Sequence, residues 1–214
     1  MIHRFQYLTQ DVDSISHQEL AEIACKNGIR WLQLRVKNKP FDTYLSIAND
    51  VKKICNKWNC ILIINDNVEI CKAIDAHGVH LGKNDMAIAD ARKIIGSNKI
   101  IGGTANTIED IERIEKQGID YIGLGPYKFT NTKENLSSII GLDGYQKILH
   151  STIYNIKKPV IAIGGIQLTD IKPLMNTGIH GIAVSSAINL STKKEETISA
   201  FLKHFSAKDT SHIY

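Results

Sequence analysis

Gln33, Arg35 and Lys37 occupy alternate positions of one short segment of the chain. In an extended strand alternate side chains point to the same side, so these three would converge on one site. Two cations beside an amide donor form a binding site for an oxygen-rich anion such as a phosphate. The alternative is a strand end whose long side chains reach solvent, but a strand buried on both faces rarely tolerates a charge without a partner.

Asp66 and Asp85 are candidate carboxylates for metal binding or for acid–base chemistry. Asp66 follows a run of apolar residues and Asn65, and Asp85 follows a second apolar pattern that ends near Leu81. Such a pair could bind Mg²⁺, which takes one or two carboxylates together with substrate phosphates, or it could act as general acid and base. For Asp85 a third role stays open, as the N-cap of a helix that begins near Met86.

Small residues and hydroxyls in later segments suit phosphate binding. Gly165 in a Gly-Gly pair and Ser186 in a Ser-Ser pair would contribute backbone N–H groups to a phosphate cup. The long connection over residues 125–144 would form a lid that closes on phosphate. The other candidates in these regions are Thr104, Thr130, Thr132, Lys133 and Ser185.

A repeated strand pattern would position these residues. The pattern occurs four times, beginning at Gly28, Asp75, Gly118 and Gly178, and the starts are 47, 43 and 60 residues apart. The spacing leaves room for one more strand–helix unit between copies, and a strand near residues 5–9 brings the total to eight. Such alternation indicates a parallel sheet, and eight units in about 200 residues predict an α/β fold, a single-domain (β/α)8 TIM barrel. A doubly wound open sheet is the alternative.

The repeated strands have two different faces. One face is apolar and includes Leu32 and Leu34, and we expect it to point outward under the helices. The other face has small or polar residues such as Gln33 and Arg35, and we expect it to line the barrel. The chemistry is then expected at the carboxyl ends of the strands. We expect the barrel to cover residues 1–205 and the polar segment 206–214 to be a frayed tail.

Composition and charge disfavour nucleic-acid-binding, membrane and secreted proteins. The chain has 214 residues, 43% of them hydrophobic, and a net charge of +4 with scattered lysines, so a nucleic-acid partner is not expected. No apolar run reaches the ~20 residues of a membrane span, and the N-terminus has no signal-peptide layout. We expect a cytoplasmic protein whose partners are phosphorylated small molecules, with a homo-oligomer as an alternative to a monomer. The four cysteines favour reduced, packed thiols over a zinc site.

Six motifs in order resemble the thiamine-phosphate synthase family, also called thiamine-phosphate pyrophosphorylase, from about Phe5 to Phe205. Gln33-Leu34-Arg35-Val36-Lys37 resembles the family's Q-L-R-x-K, Asn65-Asp66 its N-D, and Gly78 to Asp85 its G-V-H-L-G-x-x-D. Gly125-Pro126 through Thr130-Asn131-Thr132-Lys133 resembles G-P…T-x-T-K, and Ala162 to Ile166 and Ser185 to Ile188 complete the set. Each motif alone is weak, but the six together are specific.

The resemblance implies a transferase that joins hydroxymethylpyrimidine diphosphate to a carboxylated thiazole phosphate and releases pyrophosphate. It implies Mg²⁺ held by Asp66 and Asp85, and Arg35, Lys37 and Lys133 as the catalytic cations. The pyrimidine diphosphate would contact Gln33, Leu34, Arg35, Val36, Lys37, Asn65, Thr104 and Lys133. The thiazole phosphate would contact Thr130, Asn131, Thr132, Gly165, Ser185 and Ser186.

Some positions depart from the family pattern. Asn67 stands where an Arg is common, Thr104 where a Ser is usual, Asn106 where a His is common, and Ser185 where an apolar residue is frequent. Lys83 or Lys128 is the candidate to compensate for the Arg that is absent at position 67. Two rival functions are a thiazole tautomerase of the same superfamily and a non-enzymatic phosphate-binding barrel. The first is disfavoured by Asp85 and by the lack of a histidine at 106, and the second by the joint presence of Asp66, Asp85 and Lys133.

Overall fold

Eight parallel strands close into a barrel in chain order, from β1 to β8, and β8 pairs with β1. The computed structural model describes residues 2–129 and 138–205. The (β/α)8 barrel expected from the repeat pattern is therefore confirmed, and the open sheet is not formed. The strands are β1 Phe5–Leu8, β2 Trp31–Leu34, β3 Ile61–Asn65, β4 Gly78–Leu81, β5 Ile100–Ala105, β6 Tyr121–Leu124, β7 Val160–Ile163 and β8 Gly181–Val184.

Helices follow the strands and cover the outside of the barrel. They are α1 His17–Lys26, α2 Phe41–Lys57, α3 Val68–Ala73, α4 Ile88–Ile95, α5 Ile108–Glu115, α6 Gly141–Leu149, α7 Ile171–Asn176, α8 Ser186–Asn189 and α9 Lys194–Leu202, with a short 3₁₀ turn at Leu168–Asp170 before α7. In the described ranges, no helix combines the length and the apolar character that a bilayer crossing needs.

Local sequence signals set several helix starts. Ser16 and Glu19 form a capping box at α1, and Thr107 and Asp110 form another at α5. Each box satisfies N–H groups that the first helical turn leaves without a partner. Thr107 is thus the N-cap of α5.

The core has two layers, as the strand alternation predicts. Leu32 and Leu34 are fully buried in the cluster between barrel and helices. The second cluster fills the barrel interior, where the rings of Trp31 and Tyr121 meet edge to face at 4.9 Å between centroids. Trp31 begins its strand, so bulky side chains close the amino-terminal end of the barrel. Within the barrel, a ligand can therefore bind only at the carboxyl end of the strands.

Strand β5 includes a Gly-Gly pair. It runs from Ile100 to Ala105, so Gly102 and Thr104 are strand residues and not loop residues. A Cβ on Gly102 would lie 2.2 Å from the Tyr121 ring and 2.5 Å from His80 Nδ1. Glycine at this position therefore gives these two large side chains their space inside the barrel.

The connection after β6 is anchored at both described ends. Tyr127 N donates to Ile163 O at 2.8 Å, and on the return Ile140 N donates to Pro126 O at 2.9 Å. The segment therefore leaves and re-enters the fold beside β7, at the carboxyl rim of the barrel.

Candidate active site

The ends of β2, β3 and β4 bring Lys37, Asp66 and Asp85 together. Lys37 Nζ forms an ion pair with Asp66 Oδ2, and both side chains are only partly exposed. Asp66 has a φ of 65°, a left-handed conformation that Asp adopts more readily than most residues, and its amide donates to His80 O at 2.8 Å. Asp85 accepts a hydrogen bond from Gly82 N at 2.6 Å. The two carboxylates therefore stand on fixed turns at one edge.

The N-cap role considered for Asp85 is wrong. Helix α4 begins at Ile88 and its N-cap is Ala87, whereas the Asp85 carboxylate binds back to its own loop at Gly82. The bond to Gly82 closes a tight turn after β4. That turn directs Asp85 toward Asp66 and not toward the helix.

Asp66 and Asp85 share a hydrogen bond, and their pKa values move in opposite directions. Burial raises the pKa of Asp66, but the bonds from Lys37 and Asp85 outweigh it and leave the pKa below the usual range. Burial, followed by the contact with Asp66, raises the pKa of Asp85. Two neighbouring carboxyl groups offer hard oxygen donors that a divalent cation can bind.

The loop after β1 holds the predicted anion-binding segment by its main chain. Thr9 Oγ1 accepts from Arg35 N, and Asp11 Oδ2 accepts from Lys37 N, each at 3.1 Å. His17 joins the two, with Nδ1 2.9 Å from Thr9 Oγ1 and Nε2 3.3 Å from Asp11 Oδ1. This support was not predicted, although the polar residues directly after β1 were a signal for it.

The hydrogen-bond pattern indicates a neutral His17. Thr9 Oγ1 accepts from a backbone amide and can give its hydrogen to His17 Nδ1, which leaves the Nε2 hydrogen for Asp11. Burial is the largest effect and lowers the pKa of His17, against the opposing influence of Asp11. The neutral ring thus accepts from Thr9 and donates to Asp11, and so it bridges these two side chains.

A chain of hydrogen bonds crosses the barrel from Gln33 to Thr104. Gln33 donates to Gln6 at 3.3 Å, and Gln6 donates to Tyr121 OH at 3.2 Å. Tyr121 OH lies 3.0 Å from His80 Nδ1, and His80 Nε2 lies 3.0 Å from Thr104 Oγ1. His80 therefore lies inside the barrel. The side chains of Gln33 and Thr104 are oriented by this network.

Leu34, Val36 and Asn65 take different positions around the same edge. Leu34 and Val36 are buried in the helix–sheet core, so only their main-chain atoms can face a ligand. Asn65 is buried at the end of β3, where its carbonyl accepts from Tyr44 OH at 3.2 Å. In residues 33–37 the side chains therefore alternate between the hydrophobic core, for Leu34 and Val36, and the side that can face a ligand.

The Gly-Gly turn after β7 packs against the start of the long connection. Gly164 and Gly165 have φ values of 103° and 67°. A Cβ on Gly165 would lie 2.7 Å from Phe129 O. The backbone here is close-packed on the segment that leads to the predicted lid, and a side chain at 165 would push that segment away.

The serines after β8 differ in their surroundings. Ser185 donates from its hydroxyl to Gln10 Oε1 and accepts from Asn189 Nδ2, each at 3.0 Å. Ser186 is the first residue of α8. The Ser185 side chain therefore ties the end of β8 to the loop after β1, while the backbone around it stays at the carboxyl rim.

The cations considered as substitutes for an arginine at 67 are engaged elsewhere. Lys83 pairs with Asp110 at 2.5 Å, and Lys128 pairs with Asp170 at 2.6 Å. Asn67 itself caps α3 by accepting from the amide of Ile70. The expected compensation therefore has no support in these contacts. Four predicted ligand-binding residues lie outside the described residues, namely Thr130, Asn131, Thr132 and Lys133.

Comparisons with known proteins agree on one family. A family model described as "Thiamine monophosphate synthase" matches residues 7–188. The chain is 49% identical to the thiamine-phosphate synthase of Flavobacterium johnsoniae over 196 residues, which cover 91% of this chain and 92% of the relative. It is 47% identical to that of Phocaeicola vulgatus over 184 residues, or 86% of this chain and 88% of the relative.

Solved structures give the same result. The thiamine phosphate pyrophosphorylase from Pyrococcus furiosus has a TM-score of 0.82 and 31% identity, with 94% of each chain covered. A 3-hexulose-6-phosphate synthase has a TM-score of 0.70 at 14% identity, which shows the barrel fold alone. By the family match and by these relatives, the chain belongs to the thiamine monophosphate synthase family.

Proposed function

We propose that the protein joins 4-amino-2-methyl-5-hydroxymethylpyrimidine diphosphate to a carboxylated thiazole phosphate, giving thiamine phosphate and pyrophosphate. The observation that carries the proposal is the convergence of Lys37, Asp66 and Asp85 at adjacent strand ends. A diphosphate needs cations, and a bound metal needs carboxylates, and this edge of the barrel offers both.

Asp66 and Asp85 fit a bound Mg²⁺. Their oxygens are hard donors, and the two side chains lie in contact with each other at the ends of adjacent strands. When bound, Mg²⁺ would supply a positive charge next to the diphosphate and so favour its departure. Lys37 would then be released from Asp66 to contact the diphosphate directly.

The proposed catalytic cations are Arg35, Lys37 and Lys133. They would stabilise the negative charge that develops on the leaving pyrophosphate, which is the main electrostatic demand of the reaction. The main-chain N–H groups of Arg35 and Lys37 donate hydrogen bonds to Thr9 and Asp11, so the segment that bears the two charges needs little reorganisation. Gln33, Asn65 and Thr104 would orient the pyrimidine from the barrel side.

The thiazole phosphate would occupy the other side of the same carboxyl rim, beside the ends of β7 and β8. Its proposed contacts are Thr130, Asn131, Thr132, Gly165, Ser185 and Ser186. The thiazole nitrogen is a neutral nucleophile, so no protein base is required. The protein's contribution on this side is to hold the nucleophile in line with the departing group.

The tautomerase alternative lacks its proton carrier at position 106. Asn106 donates from its side chain to Gly125 O and so links the loops after β5 and β6. A carboxamide does not titrate near neutrality, so it cannot move a proton between two ring positions. The contact gives Asn106 a role in loop packing.

The test is a two-substrate assay with purified protein. Pyrophosphate release should require both substrates and Mg²⁺ together, and it should cease when any one of the three is omitted. A protein that tautomerises the thiazole phosphate and releases no pyrophosphate would show the tautomerase assignment to be right. Binding of either phosphate with no turnover would instead identify a non-enzymatic barrel.

A further inference from the structure

Three of the four cysteines meet at the amino-terminal end of the barrel, away from the candidate active site. Cys25 lies in the last turn of α1, Cys55 in the last turn of α2, and Cys60 directly before β3. All three are buried and free, and their sulfur atoms lie within 4.8 Å of one another. Segments that are distant in sequence thus present three thiols to one point.

The backbone holds this thiol cluster in place. Cys60 N donates to Cys55 O at 2.8 Å, which closes the end of α2. The Arg30 guanidinium donates to Cys25 O at 3.0 Å and fixes the end of α1. The main chain that carries the three cysteines is therefore held in place at the ends of α1 and α2.

The sulfurs also interact with one another electrostatically. Hydrogen bonds from Cys55 and Cys60 lower the pKa of Cys25 against the effect of burial, and Arg30 lowers it further. The pKa values of Cys55 and Cys60 are raised in turn. Metals bind the thiolate form of cysteine, and the Arg30 guanidinium, which donates to Cys25 O, brings a positive charge to this end of α1.

We propose that Cys25, Cys55 and Cys60 form a three-sulfur site for a soft cation of the copper(I) class. A metal–sulfur bond of about 2.3 Å, as in zinc thiolates, puts the ligands of a trigonal site about 4 Å apart. The observed sulfurs need to approach by less than about 1 Å to reach that spacing. Thiolates are the ligands that select soft ions, and copper(I) is one of them.

The coordination number favours copper(I) over zinc. Among residues 2–129 and 138–205, no fourth His, Cys, Asp or Glu ligand atom joins the three sulfurs. Structural zinc sites are almost always tetrahedral, with four ligands. The positive charge of Arg30, which already favours the Cys25 thiolate, would balance the excess negative charge of a thiolate complex.

Copper(I) competition measures the proposal directly. Reduced protein is titrated, without oxygen and with a non-thiol reductant, against copper(I) held by a coloured chelator of known affinity. We expect one copper(I) per chain, and an X-ray absorption spectrum with three sulfur neighbours. Cys71→Ala is the matched control, because Cys71 is also buried and free but lies outside the cluster.

Substitution of each cluster cysteine distinguishes the outcomes. Cys25→Ala, Cys55→Ala and Cys60→Ala should each weaken copper(I) binding by at least about 100-fold, since loss of an outer-shell partner alone costs about 10- to 100-fold. Thermal melting confirms that each variant is folded, and Cys→Ser versions replace any that is not.

Three results would overturn the proposal. One is unchanged copper(I) affinity in the alanine or serine variants. Another is tighter binding of zinc(II) than of copper(I) by the same sulfurs. The third is a disulfide between two of the cysteines on mild oxidation, with no copper retained by the reduced protein. None of these outcomes depends on the proposed condensation reaction, which uses the other end of the barrel.

Discussion

His17 Nε2 lies 3.3 Å from Asp11 Oδ1, and this contact connects α1 to the segment that carries Arg35 and Lys37. The same Asp11 carboxylate accepts the amide of Lys37 through its other oxygen. A histidine on a covering helix therefore supports the position of two cations at the barrel mouth. In the proposed reaction His17 and Asp11 are positioning residues, and the reacting atoms belong to their neighbours.

Replacement of His17 tests this support. His17→Leu should lower kcat/KM for the pyrimidine diphosphate by about 10- to 100-fold, because the loss of two bonds lets the cationic segment shift. The KM for the thiazole phosphate should stay near the wild-type value. His17→Gln, whose amide offers both a donor and an acceptor, should recover part of the loss.

Steady-state kinetics with each substrate varied in turn measure the effect. His150→Leu is the control, since His150 lies at the other end of the barrel after α6. Equal losses for both substrates in His17→Leu would show general destabilisation and contradict the positioning role.

The pH dependence of stability should carry a signature of His17. Burial holds its pKa below the usual value of about 6.5, so the unfolded state takes up a proton at a higher pH than the native state. The stabilising contribution is complete above about pH 6.5 and falls as the pH is lowered toward the native pKa. Denaturant unfolding of wild type and His17→Gln between about pH 7 and pH 5 should give a difference that shrinks on acidification. A constant difference would mean that His17 does not titrate as its burial requires.

Asp66→Asn should raise the Mg²⁺ concentration required for activity and lower turnover, on the order of 10²- to 10³-fold. The change removes a charge from the proposed metal pair and leaves Lys37 without its counter-ion. The measurement is pyrophosphate release as a function of Mg²⁺. Asp75→Asn is a close control, because Asp75 also has a positive φ and pairs with a lysine, Lys99, away from the site. Wild-type activity of Asp66→Asn at limiting Mg²⁺ would remove Asp66 from the metal site.

Gly165→Ala should weaken thiazole phosphate binding and spare the pyrimidine diphosphate. The new Cβ would meet Phe129 O at 2.7 Å and displace the start of the long connection. Gly118→Ala is the matched control, with a φ of 84° and no atom within 4 Å of the added Cβ, so it carries only the backbone cost of about 1–2 kcal/mol. The affinity of each variant for the thiazole phosphate and for the pyrimidine diphosphate is measured by separate titrations. Thiazole phosphate affinity that is equal in both variants would show that the turn at 165 does not form the cup.

The sequence alone was sufficient for the barrel and its two faces. Strand alternation is a local property with a period of two, so Leu34 outward and Gln33 inward follow from neighbouring residues. The repeat spacing predicted the number of strands, and the order of motifs indicated the family. The extent of β5 does not follow from its own residues, because a Gly-Gly pair is typical of a turn, whereas Gly102 lies within the strand and leaves space for the Tyr121 ring.

Tertiary structure decided the contacts between segments that are far apart in the chain. Thr9, Asp11 and His17 support residues 35 and 37 only because β1 and β2 pair in a fixed register. Cys25 meets Cys55 and Cys60 only because α1 and α2 pack side by side. Periodicity describes which face a residue occupies. Which residues on those faces are in contact is determined by barrel closure and helix packing. Both depend on the whole chain.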